Sequence, residues 1–324
     1  MVGFAALALG AVLLAVGAGA GPAPILPLVA LGLAALYIGA SRVGRCFLGK
    51  RFDLAAYLSV SWLVLVLVAA VLADWLPLSE HQDTSKTLAT PIKLRPDAFS
   101  AHPLGTDNQG LDILGGVVSG ARVSITVAIG AALIGILLGG AIGMVAGYFR
   151  GRIDSVVGFF VDSTLAFPPI IMLLALATIL EPSIRNMTLV LAVLSIPMFV
   201  RISRANTMTF AQREFVLASR VLGVKDRWIL VRDIFPNVLI PLVSYAFIVV
   251  GALIVAEASL SFLGLGIPRP QPTWGNMIAA GQTEISKDPF LVVVPGVVLF
   301  LTVFSLNRVG EWIQRKWDPR GGRL

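Results

Sequence analysis

The chain is poor in the residues that build disulfides and most metal centres. It has one cysteine, Cys46, and two histidines, His81 and His102, among 324 residues. A single cysteine excludes a disulfide within the chain and any metal site made of several cysteines. Neither histidine lies in a hydrophobic run, and the motifs G-x-S-x-G and H-E-x-x-H are absent from the sequence. These absences argue against an intramembrane serine protease or a zinc protease.

Charged residues are also scarce. Asp, Glu, Lys and Arg make up 13% of the chain and hydrophobic residues 57%, whereas soluble domains carry about 25% charged residues. Only intrahelical hydrogen bonds satisfy the backbone of a single segment in lipid, and a spanning helix takes about 20 apolar residues. We therefore predict an all-α, polytopic membrane protein in a lipid bilayer. Eight windows are candidate spans: Phe4–Gly19, Ile25–Ala40, Leu54–Ala73, Val123–Tyr148, Val156–Leu180, Thr188–Val200, Val238–Leu265 and Phe290–Leu306.

The placement of Lys and Arg indicates the orientation of these spans. A net charge of +7 would suggest nucleic-acid binding in a soluble protein, but in a membrane protein the position of the cations sets the topology. If Leu54 enters from the cytoplasm, 18 of the 25 Lys and Arg lie in the cytoplasmic segments 41–53, 149–154, 201–237 and 308–324. We predict cytoplasmic N- and C-termini, an external loop 74–121, a cytoplasmic loop 201–237 and no nucleic-acid partner.

The first two windows lie in an N-terminal extension, residues 1–41. Phe4–Gly19 has no Lys or Arg ahead of it, so it makes a poor signal peptide. A hydrophobic hairpin of two extra spans would keep the N-terminus cytoplasmic, while a misplaced start codon or a re-entrant segment is the alternative. The remaining residues, 42–324, are predicted to form a core of six spans.

Four glycines recur every fourth residue in one span: Gly135, Gly139, Gly143 and Gly147. We call these residues the glycine stripe. Such a stripe lets two helix backbones approach closely in lipid, where packing drives association. We predict tight packing against a neighbouring helix, either in this chain or in a partner.

Asp162 and Glu257 lie within or near apolar spans. A carboxylate at that depth costs free energy, so it needs a partner or water. Each of the two lines a cavity or pathway, or is paired structurally inside the bundle.

Two other segments partly match known kinds of ligand site, but each lacks a feature that such a site needs. Residues 44–51 nearly match a phosphate-binding loop, but Arg51 stands where a Ser or Thr hydroxyl must meet magnesium. These cations are better explained as the inner anchor of the next span, so we expect no ATPase site and no cofactor in this chain. Around His102, Asp107 and Asp112 the density of turn-forming residues favours a structured external loop, and no metal site is predicted.

The loop 201–237 is long, basic and patterned. Gly223 is placed to end a first helix, Asp226 to cap a second and Pro236 to stop it. Four residues of the first helix recur at helical spacing: Phe215, Ala218, Ser219 and Leu222. The small Ala218 and Ser219 would face outward, suited to docking in another protein's groove. An amphipathic helix lying on the membrane is the alternative.

Residues Glu214–Gly223 and Ile234–Asn237 resemble the cytoplasmic "EAA" loop of ABC importer permeases, in which a glycine precedes an I-L-P triplet. The sequence departs from that motif at Leu217, where Glu is frequent, at Ser219 for Ala, and at Phe235 for Leu. Four further segments are similar to the C-type permease of dipeptide, oligopeptide and nickel importers: His102–Asp107, Ala166–Pro168, Glu257–Gly266 and Pro272–Gly275. The resemblance covers about residues 54–319.

The resemblance implies a six-helix permease core in a prokaryotic inner membrane. Its implied partners are a second, B-type permease, two cytoplasmic ATPase subunits and an external substrate-binding protein. ATP would be hydrolysed on the partners, so the chain is not expected to be an enzyme, and the path would open by alternating access. The implied ATPase-coupling residues are Glu214, Phe215, Leu217, Ala218, Ser219, Leu222, Gly223 and Pro236.

An ion-coupled transporter or channel subunit is the rival class, supported by Asp162 and Glu257. The patterned loop is better explained by an ATPase partner. The sequence leaves the cargo open among a dipeptide, a longer peptide, a metal chelate and glutathione.

Overall fold

The computed structural model describes residues 22–48, 53–97 and 99–317. Across these residues the chain forms helices and irregular segments, with one isolated antiparallel bridge between Thr106 and Asp112. Five of the described helices are long and apolar enough to cross a membrane, or six if one bent pair counts as a single span. The all-α polytopic prediction is confirmed. The first window, Phe4–Gly19, lies outside the described residues.

The described helices are numbered in chain order. They are α1 Pro22–Leu48, α2 Leu54–Leu72, α3 Ile113–Phe149, α4 Gly151–Ala166, α5 Pro169–Ile179, α6 Ile184–Phe210, α7 Glu214–Val221, α8 Asp226–Phe262, α9 Trp274–Gly281 and α10 Phe290–Trp317. Helices α3 and α8 each contain a π-helical segment, Gly135–Gly139 and Ile229–Ile234. The chain divides into two compact units, and the boundary in the sequence falls between Ser61 and Trp62, inside α2.

Short polar side chains begin several of these helices. Asp112 Oδ2 accepts a hydrogen bond from the Gly115 backbone N–H at 2.7 Å at the start of α3. Ser183 Oγ does the same for Asn186 at 3.1 Å before α6. Each bond satisfies one of the N–H groups that a first helical turn leaves unpaired. These caps fix where the spans emerge into the polar loops.

The core of the second unit is built around α6 and α8. Helix α6 packs along α3, and α8 packs against α3, α6, α9 and α10. Phe199 of α6 and Leu253 of α8 are fully buried or nearly so. Trp274 at the start of α9 is fully buried and donates its indole N–H to the Val117 carbonyl of α3 at 3.1 Å.

The predicted span Val156–Leu180 is broken rather than continuous. Helices α4 and α5 meet at a bend of 88° around Phe167 and Pro168. Phe167 has extended backbone angles because a residue before proline is pushed out of the helical region. The hydropathy of this segment predicted an apolar span but did not predict the break within it.

The loop predicted at 201–237 is shorter in the structure, because α6 continues to Phe210 and α8 begins at Asp226. Asp226 does not cap the second helix, because Lys225 occupies the cap position and Asp226 is the first helical residue. Pro236 does not stop a helix either, so both expectations are wrong. It lies in the first turn of the α-helical segment Phe235–Phe262, directly after the π-helical segment. A proline is tolerated in a first α-helical turn, where its missing N–H is not needed.

Candidate docking element and intramembrane carboxylates

Helix α7 and the turn that follows it connect the ends of two spans, α6 and α8. We call residues 214–231 the docking element. Val216 is its one fully buried residue on α7, and it belongs to the same hydrophobic cluster as Ile229 and Ile234. The large apolar side chains that it exposes are Phe215, Leu217, Val221, Leu222, Val224, Trp228 and Val231. Val221 and Leu222 are 88% and 80% exposed, so the described part of the chain leaves the apolar face of the element uncovered.

The two small residues predicted to face outward differ in the structure. Ala218 is exposed, as is Glu214 at the start of α7. Ser219 is only half-exposed, and its hydroxyl donates to Asp233 Oδ2 at 2.8 Å. Ser219 therefore helps to hold α7 against the start of α8, which the sequence pattern did not reveal.

Gly223 ends α7 with the geometry that its position predicted. Its φ is 73°, in the left-handed region that glycine adopts without a steric cost. The Val224 N–H bonds to the Ser219 carbonyl at 3.0 Å, and the Gly223 N–H bonds to the Arg220 carbonyl at 3.0 Å. This pair of bonds is the Schellman motif of helix C-termini. The turn toward α8 is thus fixed by backbone geometry.

The glycine stripe on α3 packs against α6 of the same chain. A Cβ built on Gly139 would lie 2.5 Å from the Ile196 carbonyl oxygen, and one on Gly147 would lie 2.6 Å from the Arg204 carbonyl oxygen. A Cβ on Gly135 would instead meet side chains of α6, those of Ser195 and Phe199. The stripe therefore brings two backbones into direct contact, as small residues do between membrane helices.

Glu257 is fully buried in α8. Its Oε2 accepts a hydrogen bond from Ser124 of α3 at 2.9 Å, and its Oε1 accepts one from Ser261 of α8 at 2.7 Å. Thr273, which caps α9, reaches the Ser261 hydroxyl at 3.4 Å. This arrangement favours the interpretation of Glu257 as a paired residue inside the bundle.

Asp162 lies on α4 with 71% of its side chain exposed. Its Oδ1 accepts a hydrogen bond from Arg201 Nη2 of α6 at 2.9 Å, and the arginine is 59% exposed. Because an exposed ion pair is unfavourable against lipid, this face of α4 and α6 suits water or a partner protein. The two intramembrane carboxylates thus lie in opposite environments, and no contact joins them among the described residues.

A second ion pair between α4 and α6 was not singled out by the sequence analysis. Arg204 donates from Nε and Nη2 to the two oxygens of Asp154, the latter at 2.7 Å. A bidentate pair of this kind fixes the relative rotation of two helices. The signal that could have revealed it is an acidic residue and a basic residue on neighbouring apolar segments.

The loop predicted to be external is held by hydrogen bonds in which its polar residues have different partners. His102 Nδ1 lies 3.0 Å from Asp112 Oδ1. Asp107 instead accepts hydrogen bonds from the backbone N–H groups of Gln109 and Leu111 and pairs with Arg269. These contacts are those of a folded loop, in keeping with its turn-rich sequence.

Glu80 organises the beginning of the same loop. Its Oε1 accepts hydrogen bonds from the backbone N–H groups of Asp83 and Gln82 at 3.0 and 3.1 Å. These bonds, helped by the nearby Lys86 ammonium, hold the pKa of Glu80 below its usual range because they stabilise the ionised carboxylate.

The described residues contain five or six helices long and apolar enough to cross a membrane, a close-packed glycine stripe and an apolar element exposed between two spans. These are features expected of a subunit of a membrane transport system. Residues 139–320 match the family model described as the inner membrane component of binding-protein-dependent transport systems. The chain belongs to this family, and it is a multi-pass permease subunit of the inner membrane.

Curated relatives agree with this assignment. The chain is 32% identical to the dipeptide transport system permease protein of Alkalihalophilus pseudofirmus over 263 residues, 81% of this chain and 86% of that relative. It is 33% identical to the glutathione transport system permease protein of Pectobacterium atrosepticum, over 70% of this chain and 76% of that protein. It is 30% identical to the di/tripeptide transport system permease protein of Pseudomonas aeruginosa, over 80% of this chain and 86% of that protein.

Proposed function

We propose that this permease serves an ATP-driven importer of dipeptides or oligopeptides. The relatives named above are described as permeases for a dipeptide, glutathione, and di- or tripeptides. All of these cargoes are short peptides, and this shared chemistry supports a short peptide as the cargo here. Nothing among the relatives favours an ion-coupled transporter or a channel.

The proposed assembly contains four further components. A second, B-type permease completes the translocation path, two cytoplasmic ATPase subunits hydrolyse ATP, and an external substrate-binding protein delivers the cargo. ATP hydrolysis on separate subunits accords with a chain whose family is a membrane component.

The proposed topology places the docking element and both termini in the cytoplasm. It follows from the 18 of 25 Lys and Arg that the sequence assigns to that side. The division into an extension, residues 1–41, and a core, residues 42–324, belongs to the same proposal. The external loop 74–121 would then face the binding protein, and the loop 201–237 would face the ATPases.

The observation that carries the proposal is the uncovered apolar face of the docking element. Val221, Leu222 and Trp228 are all more than half exposed. Exposed apolar patches of this kind mark protein or membrane contact surfaces. Ala218 offers a small side chain beside them, which allows a partner's groove to approach the α7 backbone closely.

The connections of the docking element suggest how it works. It follows α6 and leads directly into α8, so displacement of α7 by a closing ATPase dimer would reach both spans. The permease would supply a two-state helix bundle, and the nucleotide state of the partners would shift the balance between outward-facing and inward-facing arrangements. The coupling residues would be Glu214, Phe215, Leu217, Ala218, Ser219, Leu222, Gly223 and Pro236.

The proposal is tested with Ala218→Arg in the complete complex reconstituted in lipid vesicles. At a protein interface the new side chain adds bulk and an unpaired charge, so ATP hydrolysis stimulated by the loaded binding protein should be lost. On a membrane-surface helix an added cation should do little harm. Gln314→Arg, a change at an exposed site of α10 on the same predicted side, is the matched control. Full stimulation in Ala218→Arg would refute the docking assignment.

A further inference from the structure

Tyr148 is the penultimate residue of α3 and directly follows the glycine stripe. Its side chain is 7% exposed although it lies at the end of a span. A tyrosine near a span end is commonly an interfacial anchor. In the structure it is instead buried, and it contacts the docking element through its hydroxyl group and its ring.

The hydroxyl group of Tyr148 donates a hydrogen bond to Asp226 Oδ1 at 2.5 Å. Asp226 is the first residue of α8, just after the turn that Gly223 forms. A hydrogen bond to an ionised acceptor is short and stronger than one between neutral groups. The end of α3 is therefore tied to the beginning of α8.

The ring of Tyr148 contacts the other side of the same turn. The guanidinium carbon of Arg220, in the last turn of α7, lies 5.0 Å from the ring centroid. This distance is within the range of a cation–π contact. One side chain of α3 thus engages both helices that flank the Gly223 turn.

This connection differs from the other contacts of the docking element. The Ser219–Asp233 hydrogen bond joins α7 to α8, and these two helices are already neighbours along the chain. In the described part of the chain, Tyr148–Asp226 is the side-chain hydrogen bond that links the docking element to a span other than α6 and α8.

The end of α3 is in turn tightly joined to α6. A Cβ on Gly147 would lie 2.6 Å from the Arg204 carbonyl oxygen and 3.0 Å from Thr207. Arg150, just beyond α3, donates to the Met208 carbonyl at 3.3 Å. A movement received by Tyr148 would therefore be carried into the packed α3–α6 pair and not absorbed locally.

We propose that Tyr148 is a positioning residue that fastens the docking element to α3, so that movement of the element drives the α3–α6 pair during transport. This inference rests on the proposed function, because it assumes that a partner moves α7. The hydrogen bond from the Tyr148 hydroxyl to Asp226 fixes the start of α8 relative to α3. The contact of the Tyr148 ring with Arg220 fixes the end of α7 relative to α3.

The test is Tyr148→Phe in the complete reconstituted complex with its binding protein. This change keeps the ring and its contact with Arg220 but removes the hydroxyl. We expect normal assembly, retained ATP hydrolysis and a drop of about fivefold to tenfold in cargo transported per ATP, since a hydrogen bond to a charged group is lost. Tyr245→Phe is the control, because that hydroxyl forms no hydrogen bond in the described structure.

A double-mutant comparison separates a specific link from general damage. Asp226→Ala should lower the transport-to-ATP ratio similarly, and the double variant Tyr148→Phe/Asp226→Ala should be no worse than the more affected single variant. Additive losses would show that the two side chains act independently and would overturn the proposal. Reduced assembly with an unchanged transport-to-ATP ratio would overturn it as well.

The outcome is distinguishable from failure of the docking assignment. If Ala218→Arg loses stimulated hydrolysis while Tyr148→Phe keeps the wild-type ratio, α7 docks a partner but Tyr148 does not position it. If Ala218→Arg keeps full stimulation, the docking assignment fails, and the role of Tyr148 in coupling fails with it.

Discussion

Gly143 lies so close to Val200 that a Cβ built on the glycine would fall 2.5 Å from the valine carbonyl oxygen. The same approach recurs one turn away on each side, at Gly139 and Gly147. The sequence alone left open whether the partner of this stripe belongs to the same chain. The structure places it in α6, so the stripe builds the interior of this subunit.

Replacing Gly143 with Leu should separate α3 from α6, because the new side chain would overlap the α6 backbone and has no flexible neighbour to displace. We expect recovery of assembled complex to fall severalfold, as for an overpacked core site that costs about 1–3 kcal/mol or more. Gly158→Leu is the matched control, since a Cβ at Gly158 meets nothing within 4 Å. Normal assembly and transport in Gly143→Leu would show that the close contact between α3 and α6 is not needed for either, and would contradict this prediction.

Apolar length predicted the spans of α2, α3, α6, α8 and α10 but not their ends. The window Thr188–Val200 stopped at the first charged residue, whereas α6 continues to Phe210. The helix continues because Arg201 and Arg204 pair with acidic residues of α4, a contact between segments about 40 to 50 residues apart. A hydropathy window has no access to such pairing.

The candidate site was predictable where its geometry is local. Helical spacing and a glycine identified α7 and its end, since both depend on neighbours along the chain. The hydrogen bonds of Ser219 to Asp233 and of Tyr148 to Asp226 join residues 14 and 78 positions apart. Such contacts follow from the packing of whole helices and leave no periodic trace in the sequence.

The predicted topology can be tested by cysteine labelling in intact cells. In a Cys46→Ser background, Ala89→Cys should react with a membrane-impermeant thiol reagent, because residue 89 is exposed in the predicted external loop. Lys225→Cys, in the turn before α8, should react only after permeabilisation. The 18-to-7 bias of Lys and Arg underlies both expectations. The reverse labelling pattern would invert the whole arrangement.

The left-handed conformation of Gly223 predicts a graded response to substitution. Gly223→Val should weaken the end of α7 by about 1–2 kcal/mol, because a β-branched residue disfavours a positive φ. Gly223→Asn should be milder, since asparagine adopts this conformation more readily. A Cβ would meet nothing within 4 Å there, so crowding within the chain does not contribute. The measurement is binding-protein-stimulated ATP hydrolysis; equal activity of the two variants would show that the turn tolerates a different geometry.

The hydrogen bonds of Glu257 make a prediction that separates a structural role from a role in the transport path. Glu257→Leu would leave the buried hydroxyls of Ser124 and Ser261 without their acceptor, at a cost of about 1–3 kcal/mol. We expect Glu257→Leu to lower the melting temperature of the purified subunit in detergent. Glu257→Gln should lower the melting temperature less, because it keeps an acceptor oxygen. The double variant Glu257→Leu/Ser124→Ala should recover part of the melting temperature, because it removes one of the two hydroxyl groups left without an acceptor. Transport should fall only in parallel with the amount of folded protein. If Glu257→Leu instead melted like the wild type while transport was lost, the structural role would be refuted and the carboxyl group would act on the cargo. The α3–α8 contact that buries this group would then have to open during the transport cycle.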